Sequence, residues 1–432
     1  MSVNSRWSMV LTRLAWLAIL AAQLVAMNIT SASDGPSARP TRAADAFVDS
    51  IGVNTHLGYS DTIYRRYDDV IRPRLAELGI RHIRDGLRAN RKDVIHKLND
   101  LATLGIHSDL LLEPEEAVGI VKAARGSMLT VEGQNEPDTH PNWEPKARAR
   151  QTALYRAVKG DPETAMIPVL VSGMANTRDA PGRLGPLVEL LDLGNTHCYP
   201  GGLAPAGSGG WGISLTRALD EARKVCGTKP LVATETGYHN RIAERGHPGV
   251  SEAAAAKYIP RLLLEYFDRG VVRTYLYEFA DEKPDPEMRD MEQHFGLIHV
   301  DGTPKPAFVT LRNLIAVLRD PGPAYEPKDF AFTLQGDTKD IRHVLLARRD
   351  GAFDLVVWLE VPSFDMKTRQ DLSVAPREVT VVPGWSLAQA QVYHPAQAPR
   401  PMSQLDVPRV IHVRVSDEPL VIRVTPARDR RE

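Results

Sequence analysis

Between residues 50 and 320 the chain alternates short apolar runs with amphipathic segments, eight times in succession. The apolar runs fall at 51–56, 80–84, 106–112, 128–131, 166–172, 191–197, 230–234 and 271–277. Between them lie segments with helical spacing. In residues 61–78, Ile63, Tyr67, Val70, Ile71, Leu75 and Leu78 share one face, and Gly79 stands where a helix C-cap belongs. Helices are also expected at 92–104, 145–158, 251–268 and 305–318. Strand–helix alternation of this kind specifies a parallel sheet covered by helices. From Val53 to Tyr275 is 222 residues over seven units, about 32 each. A closed eight-unit barrel runs to ~250 residues, or about 31 per unit. An open doubly wound sheet shares the alternation, but no glycine-rich phosphate loop follows the first strand. The expected fold is therefore α/β, a (β/α)8 TIM barrel over residues 45–320.

Beyond residue 320 the texture changes. A proline-rich linker at 321–327 leads into β-branched runs at 330–334, 342–348, 353–360, 378–382, 390–393, 410–415 and 420–424, with turn residues such as Asp350-Gly351 and Pro383-Gly384 between them. Strands this close together, with no helix between, predict a C-terminal antiparallel β-sandwich over 321–427. Trp358 and Trp385 are read as core of that sandwich, which shows no aromatic platform for sugar.

The N-terminus reads as a signal peptide over residues 1–33. Arg6 and Arg13 precede a nearly unbroken apolar run at 14–27, and small residues follow. The run is short beside the ~20 residues a membrane span requires. A secreted or periplasmic protein is expected, tethered to the membrane only if the segment stays uncleaved as a signal anchor. The formal net charge of −1 gives no reason to expect nucleic acid or an anionic membrane surface as partner, and a monomer is expected. The two cysteines, Cys198 and Cys226, are expected at opposite ends of the barrel. A strand and its returning helix span ~15–20 Å, whereas a disulfide needs Cα atoms within about 7 Å, so no bond is predicted.

Barrel active sites form where the strands end, at their C-terminal edge. Two carboxylates stand at such ends. Glu136 lies in Asn135-Glu136-Pro137-Asp138 after the fourth strand, and Glu235 in Thr234-Glu235-Thr236-Gly237 at the seventh. They are 99 residues apart, three units of 33, so the barrel register aims both into one bowl. Glycosidic bond cleavage needs a proton for the leaving oxygen and negative charge beside the anomeric carbon, and two carboxyl groups supply both. A separation of ~5–5.5 Å implies a covalent intermediate and retention, and ~6.5–9.5 Å leaves room for a water and implies inversion. A lone strand-end Glu is more often structural, but the registered pair favours catalysis. Glu132, earlier on the fourth strand, is the rival carboxylate and is read as a buried partner of an Arg or His.

In these motifs the chain resembles the clan A glycoside hydrolases, families 5 and 39 above all. The resemblance spans roughly residues 50–320 and implies retention, with Glu136 as acid/base and Glu235 as nucleophile. It implies that Tyr199, in His197-Cys198-Tyr199, hydrogen-bonds the nucleophile, that Arg84 keeps it ionised, and that Asn135 donates to the sugar 2-hydroxyl. Phe295-Gly-Leu297 and the stretch 301–307 are similar to the clan's closing segment. The clan's tryptophan at the end of strand eight is missing, and Tyr277 or Phe279 is expected in its place. Glu278 and Asp281 either bind sugar or cap a loop. His56 is either part of the sugar subsite or a satisfied strand-end histidine. Of the loop aromatics Trp143, Trp211, Tyr238 and His239, Trp143 and Tyr238 are favoured as sugar contacts. No HExxH, paired-cysteine or aspartate-rich calcium motif is present, so neither metal nor cofactor is expected. The expected activity is hydrolysis of a poly- or oligosaccharide. A transglycosylase with the same pair and a noncatalytic sugar-binding barrel are the alternatives.

Overall fold

The computed structural model describes residues 41–207, 213–243 and 246–427. The leader-like segment and Trp211 lie outside them. Eight parallel strands form the barrel: β1 (Ile51–Asn54), β2 (His82–Gly86), β3 (His107–Leu111), β4 (Met128–Glu132), β5 (Val169–Leu170), β6 (Gly194–His197), β7 (Leu231–Thr236) and β8 (Arg273–Leu276). β1 pairs with both β2 and β8, and a bridge between Leu170 and Leu193 joins the β5 and β6 edges, so the sheet closes on itself. Closure matters for the site because it makes neighbours of residues 223 apart, such as Val53 and Leu276. Among the described residues no helix is long and apolar enough to cross a membrane.

Helices cover the barrel as the apolar spacing predicts. α1 (Ala44–Asp49) precedes β1. α2 (Arg72–Leu78) ends at Gly79 in the left-handed region, φ 79°, where a side chain would be strained. The expected helix over 61–78 is broken, however, into a 3-10 turn at Ile63–Arg65 and a π turn at Tyr67–Ile71 ahead of α2. The Ile71 N–H donates to the Arg66 carbonyl, and Pro73 has no N–H to continue a regular ladder. α3 (Lys92–Thr103), α4 (Pro114–Ala123), α5 (Trp143–Gly160), α6 (Ala180–Leu184), α7 (Leu215–Cys226), α8 (Glu252–Asp268) and α9 (Pro306–Leu318) complete the shell. α8 begins at Ser251, whose hydroxyl accepts from the Ala254 N–H, a side-chain cap for the exposed helix end.

The C-terminal strands are β9 (Phe332–Gly336), β10 (Ile341–Ala347), β11 (Phe353–Leu359), β12 (Phe364–Asp365), β13 (Gln370–Asp371), β14 (Arg377–Pro383), β15 (Leu387–Tyr393), β16 (Pro401–Asp406), β17 (Ile411–Val415) and β18 (Leu420–Pro426). β10, β11, β18, β15 and β16 form one antiparallel sheet, and β9, β14 and β17 form the other. Their inward faces bury Phe353, Leu355, Val379, Val381, Ile411, Val413 and Ile422 as a separate core. One strand breaks the antiparallel pattern. Arg42–Ala43, from the other end of the chain, pairs in parallel with β10. The Arg42 guanidinium lies over the Phe267 ring, 3.4 Å from its centroid, which ties this strand to α8. Of the two tryptophans read as core, Trp358 is buried, but Trp385 is 46% exposed, packed edge-on against Phe330 and Phe353.

α8 is buried nearly all round because the sandwich covers its outer face. Arg261, fully buried on α8, donates to Glu360 (2.9 Å), Ser363 Oγ (3.2 Å) and the Val361 carbonyl (2.9 Å). Trp358 Nε1 donates to the same carboxylate at 2.8 Å. Removing a buried cation leaves its carboxylate partner uncompensated, so Arg261→Met is expected to lower stability by about 3 kcal/mol or more. Chemical denaturation measures this, and a loss under about 1 kcal/mol would show the contact to be solvated in solution.

Cys198 and Cys226 are both buried and unpaired. Cys198 directly follows β6, whereas the Cys226 sulfur packs on Gly194 at the start of the same strand. Burial pushes both thiols up to about 11, so neither is a ready nucleophile at neutral pH.

Candidate active site

Arg84 organises the C-terminal mouth of the barrel. It extends from β2 with 2% exposure and spends all three guanidinium nitrogens. Nε and Nη2 grip Glu132 of β4 at 2.7 and 3.0 Å, a bidentate pair. Nη1 donates to Glu235 Oε1 of β7 at 2.7 Å and to Asn54 Oδ1 at 2.9 Å. Nη2 also reaches Asn135 Oδ1 at 2.7 Å. Burial alone would ease deprotonation of Arg84, but the charges of Glu132 and Glu235 outweigh it and hold the proton more firmly. Glu132 is fully buried and also accepts from Asn195 Nδ2 (2.9 Å) and Thr234 Oγ1 (3.2 Å). It is the buried partner of an arginine that its strand position implied.

Glu235 lies at the bottom of the bowl. Its second oxygen accepts from the Tyr199 hydroxyl at 2.9 Å. Burial raises a carboxyl group, yet the charges of His197 and Arg84, with the Arg84 and Tyr199 hydrogen bonds, outweigh it and keep Glu235 below its ordinary range. Glu136 faces it from β4 and is more open, with 26% of its side chain exposed against 9% for Glu235. Its backbone is left-handed, φ 44° and ψ 58°, an uncommon conformation for a non-glycine residue and one that concentrates at functional sites.

His197 joins the two carboxylates. Nδ1 lies 2.9 Å from Glu136 Oε1 and 3.7 Å from Glu235 Oε2, and one ligand atom from each of the three residues falls within 4.8 Å of the others. Nε2 lies 2.9 Å from Thr234 Oγ1. The Thr234 hydroxyl has two acceptors in reach, Asn195 Oδ1 at 2.9 Å and Glu132 Oε1 at 3.2 Å; its one proton is directed between them, and its oxygen accepts from His197 Nε2–H. Nδ1 is thereby left to share a proton with Glu136. Burial disfavours a charged imidazole, but Glu235 and the Glu136 hydrogen bond outweigh it and raise the His197 pKa. Gly173 makes room for this ring, since any Cβ there would collide with the imidazole. Asn195 and Gly173 carry no motif signal in the sequence, and Thr234 enters it only as the neighbour of Glu235 in the β7 motif.

The other expected residues divide. Asn135 sits at the bowl surface, its Oδ1 held by Arg84 and its amide nitrogen left for a ligand. Tyr277, half-buried, donates to Glu292 at 3.0 Å and packs edge-on against Phe295, so it stands in the bowl where Phe279, fully buried, does not. The Tyr277–Glu278 peptide is cis. His56 stacks on Tyr59 with centroids 4.6 Å apart and faces Glu278 and Glu282. Asp281 is a loop anchor, taking Lys305 Nζ at 2.8 Å and the Gly296 N–H at 2.9 Å. Two expectations are corrected. Trp143 opens α5 with 3% exposure and packs in the hydrophobic core beneath Arg183, leaving no face for a sugar. Tyr238 is equally buried, its hydroxyl donating to the Leu203 carbonyl and its ring against Tyr258. His239 is also buried, 3.1 Å from His247.

No protein-family model matches the chain, and no curated protein does. Solved structures do. A family 39 glycoside hydrolase from the gut symbiont Bacteroides cellulosilyticus WH2 superposes with a TM-score of 0.60 at 14% identity, covering 89% of this chain and 83% of that one. A glucosidase from Croceicoccus marinus superposes with a TM-score of 0.55 at 10% identity, covering 90% and 97%. At these identities the likeness is one of fold alone, which in this chain is a TIM barrel followed by a β-sandwich.

Proposed function

We propose that the chain is a retaining glycoside hydrolase in which Glu235 attacks the anomeric carbon and Glu136 serves as acid, then base. One observation carries the reading: Glu136 and Glu235 converge across one bowl, an oxygen of each within 4.8 Å of the other and of His197 Nδ1, in unequal surroundings. That spacing favours the ~5–5.5 Å class over the ~6.5–9.5 Å class that admits a water. Arg84 and Tyr199 stabilise charge on Glu235, whereas Glu136 meets only the proton-sharing His197 and solvent.

In the first step a Glu235 oxygen bonds to the anomeric carbon while the glycosidic C–O bond breaks and the leaving oxygen takes the proton of Glu136. Formation of the ester removes the negative charge of Glu235, so Glu136, now bare, is stabilised by His197. In the second step Glu136 takes a proton from water as its oxygen attacks the anomeric carbon, and Glu235 departs as carboxylate. The free amide nitrogen of Asn135 is placed to donate to the sugar 2-hydroxyl, a contact that strengthens as the transition state forms. The leader-like N-terminus supports action on a glycan outside the cytoplasm.

The test is a panel of aryl glycosides followed by a 2-deoxy-2-fluoro analogue of whichever sugar is accepted. Time-dependent inactivation with one label on the peptide containing Glu235, and a product of retained configuration by NMR, are expected. An inverted product, or a label on another carboxylate, would overturn the assignment.

A further inference from the structure

Beside the bowl lies a second convergence of ligating groups, and its chemistry stands apart from the proposed hydrolysis. His56 follows β1, and Glu278 and Glu282 follow β8, the strand that closes the barrel against β1. His56 Nε2 lies 3.3 Å from Glu278 Oε2 and 3.7 Å from Glu282 Oε1, and one ligand atom from each of the three lies within 4.8 Å of the others. Despite these distances His56 Nε2 makes no hydrogen bond. Glu278 is fully buried, and its Oε1 has no hydrogen-bond partner among the described residues. A buried carboxyl oxygen in that condition lacks the partner that burial of a polar group calls for. The nearby lysines make their direct ion pairs elsewhere, Lys283 with Asp61 and Lys305 with Asp281.

We propose that His56, Glu278 and Glu282 bind a divalent transition-metal ion of the zinc type. Bonds of ~2.0–2.2 Å in tetrahedral arrangement place ligand atoms ~3.3–3.6 Å apart, close to the spacing found here. One imidazole with two carboxylates suits zinc or manganese, whereas calcium takes an all-oxygen cage. The surrounding groups behave as an outer shell. Tyr59 fixes the plane of the His56 ring by stacking, and the Tyr64 hydroxyl approaches Glu278 Oε2 at 3.4 Å. Access is from the bowl, where His56 keeps 19% and Glu282 13% of side-chain exposure. His56 lies 222 residues before Glu278 in sequence, which is why no metal motif announced the group.

The test uses tag-free, chelator-stripped full-length protein titrated calorimetrically with zinc chloride, with magnesium and calcium chloride as controls. One zinc per chain and a raised melting temperature are expected, with much weaker heats from the two controls. Loss of a ligand should cost at least the ~10–100-fold seen for outer-shell changes, so His56→Ala is expected to weaken binding about 100-fold or more. Glu282→Gln, at a partly exposed position, should weaken it by at least about 10-fold, and it decides the matter alone should His56→Ala fail to fold. The triad Glu136, His197 and Glu235 is the internal control, because its ligand atoms are as close. Glu235→Gln should leave zinc binding unchanged. Absence of stoichiometric binding, or binding that survives Glu282→Gln and disappears in Glu235→Gln, would overturn the proposal.

Discussion

Glu235→Gln is expected to lower kcat by about four orders of magnitude or more, a barrier increase of about 5–6 kcal/mol at ~1.4 kcal/mol per tenfold, with the fold intact. The amide has nearly the shape of the carboxylate; its oxygen can still accept from Arg84, and its NH2 can donate to a reoriented Tyr199 hydroxyl, so the packing of the bowl should survive. What it lacks is the negative charge and the nucleophilic oxygen, and neither is replaced by another group, because Glu132 is fully buried and already engaged with Arg84. Glu136→Ala should behave differently. General acid–base help contributes ~10²–10⁴-fold, and aryl leaving groups of low pKa need no proton. The loss in kcat/KM should therefore be large for poor leaving groups and small for good ones, while for good ones kcat is limited by the unassisted second step, with a burst as the glycosyl-enzyme accumulates. Azide separates the two roles by product. It should rescue the second step in Glu136→Ala and give a glycosyl azide of retained configuration. In Glu235→Ala it should attack directly and give the inverted one. Retained product from both variants, or near wild-type turnover in both, would end the assignment.

How much of this was legible in the sequence depends on whether the signal was local or created by closure. The strand register was periodic, so the unit spacing alone brought Glu136 and Glu235 to one mouth. Glu132 could be read as buried because it sits on β4 itself, four residues before Glu136, and its partner proved to be the same Arg84 that holds Glu235. Loop aromatics carried no such register. Trp143 begins a helix whose inward face is set by α5 packing, and Tyr238 follows Gly237, whose φ of 153° redirects the chain away from the bowl. The grouping of His56 with Glu278 and Glu282 exists only because β1 and β8 become neighbours on closure. β16 escaped notice for another reason: all six of its residues are exposed, so it shows no apolar alternation, and it begins at Pro401 on a sheet edge.

Arg84→Met should cause the largest loss of stability of any single change at the mouth, about 3–5 kcal/mol. The methionine fills most of the volume, so the cost is electrostatic. Two carboxylates, Glu132 fully buried and Glu235 nearly so, would lose their shared cation, and Asn54 and Asn135 would each lose a donor. Arg84→Lys keeps the charge but not the fork; a single ammonium cannot bond Glu132 at two points and still reach Glu235 and Asn135. It should fall between the wild type and Arg84→Met in stability, and well below wild type in kcat because Glu235 loses its anchor. Pairing Arg84→Met with Glu132→Gln separates charge from packing. If the loss is the burial of an uncompensated carboxylate, neutralising Glu132 should recover ~1–3 kcal/mol of it, a coupling of the size expected for groups in direct contact. Urea denaturation of the four proteins gives the cycle. Additive losses, with no recovery in the double variant, would mean that Arg84 acts by filling space and that the mouth of the barrel is not held together by its charge.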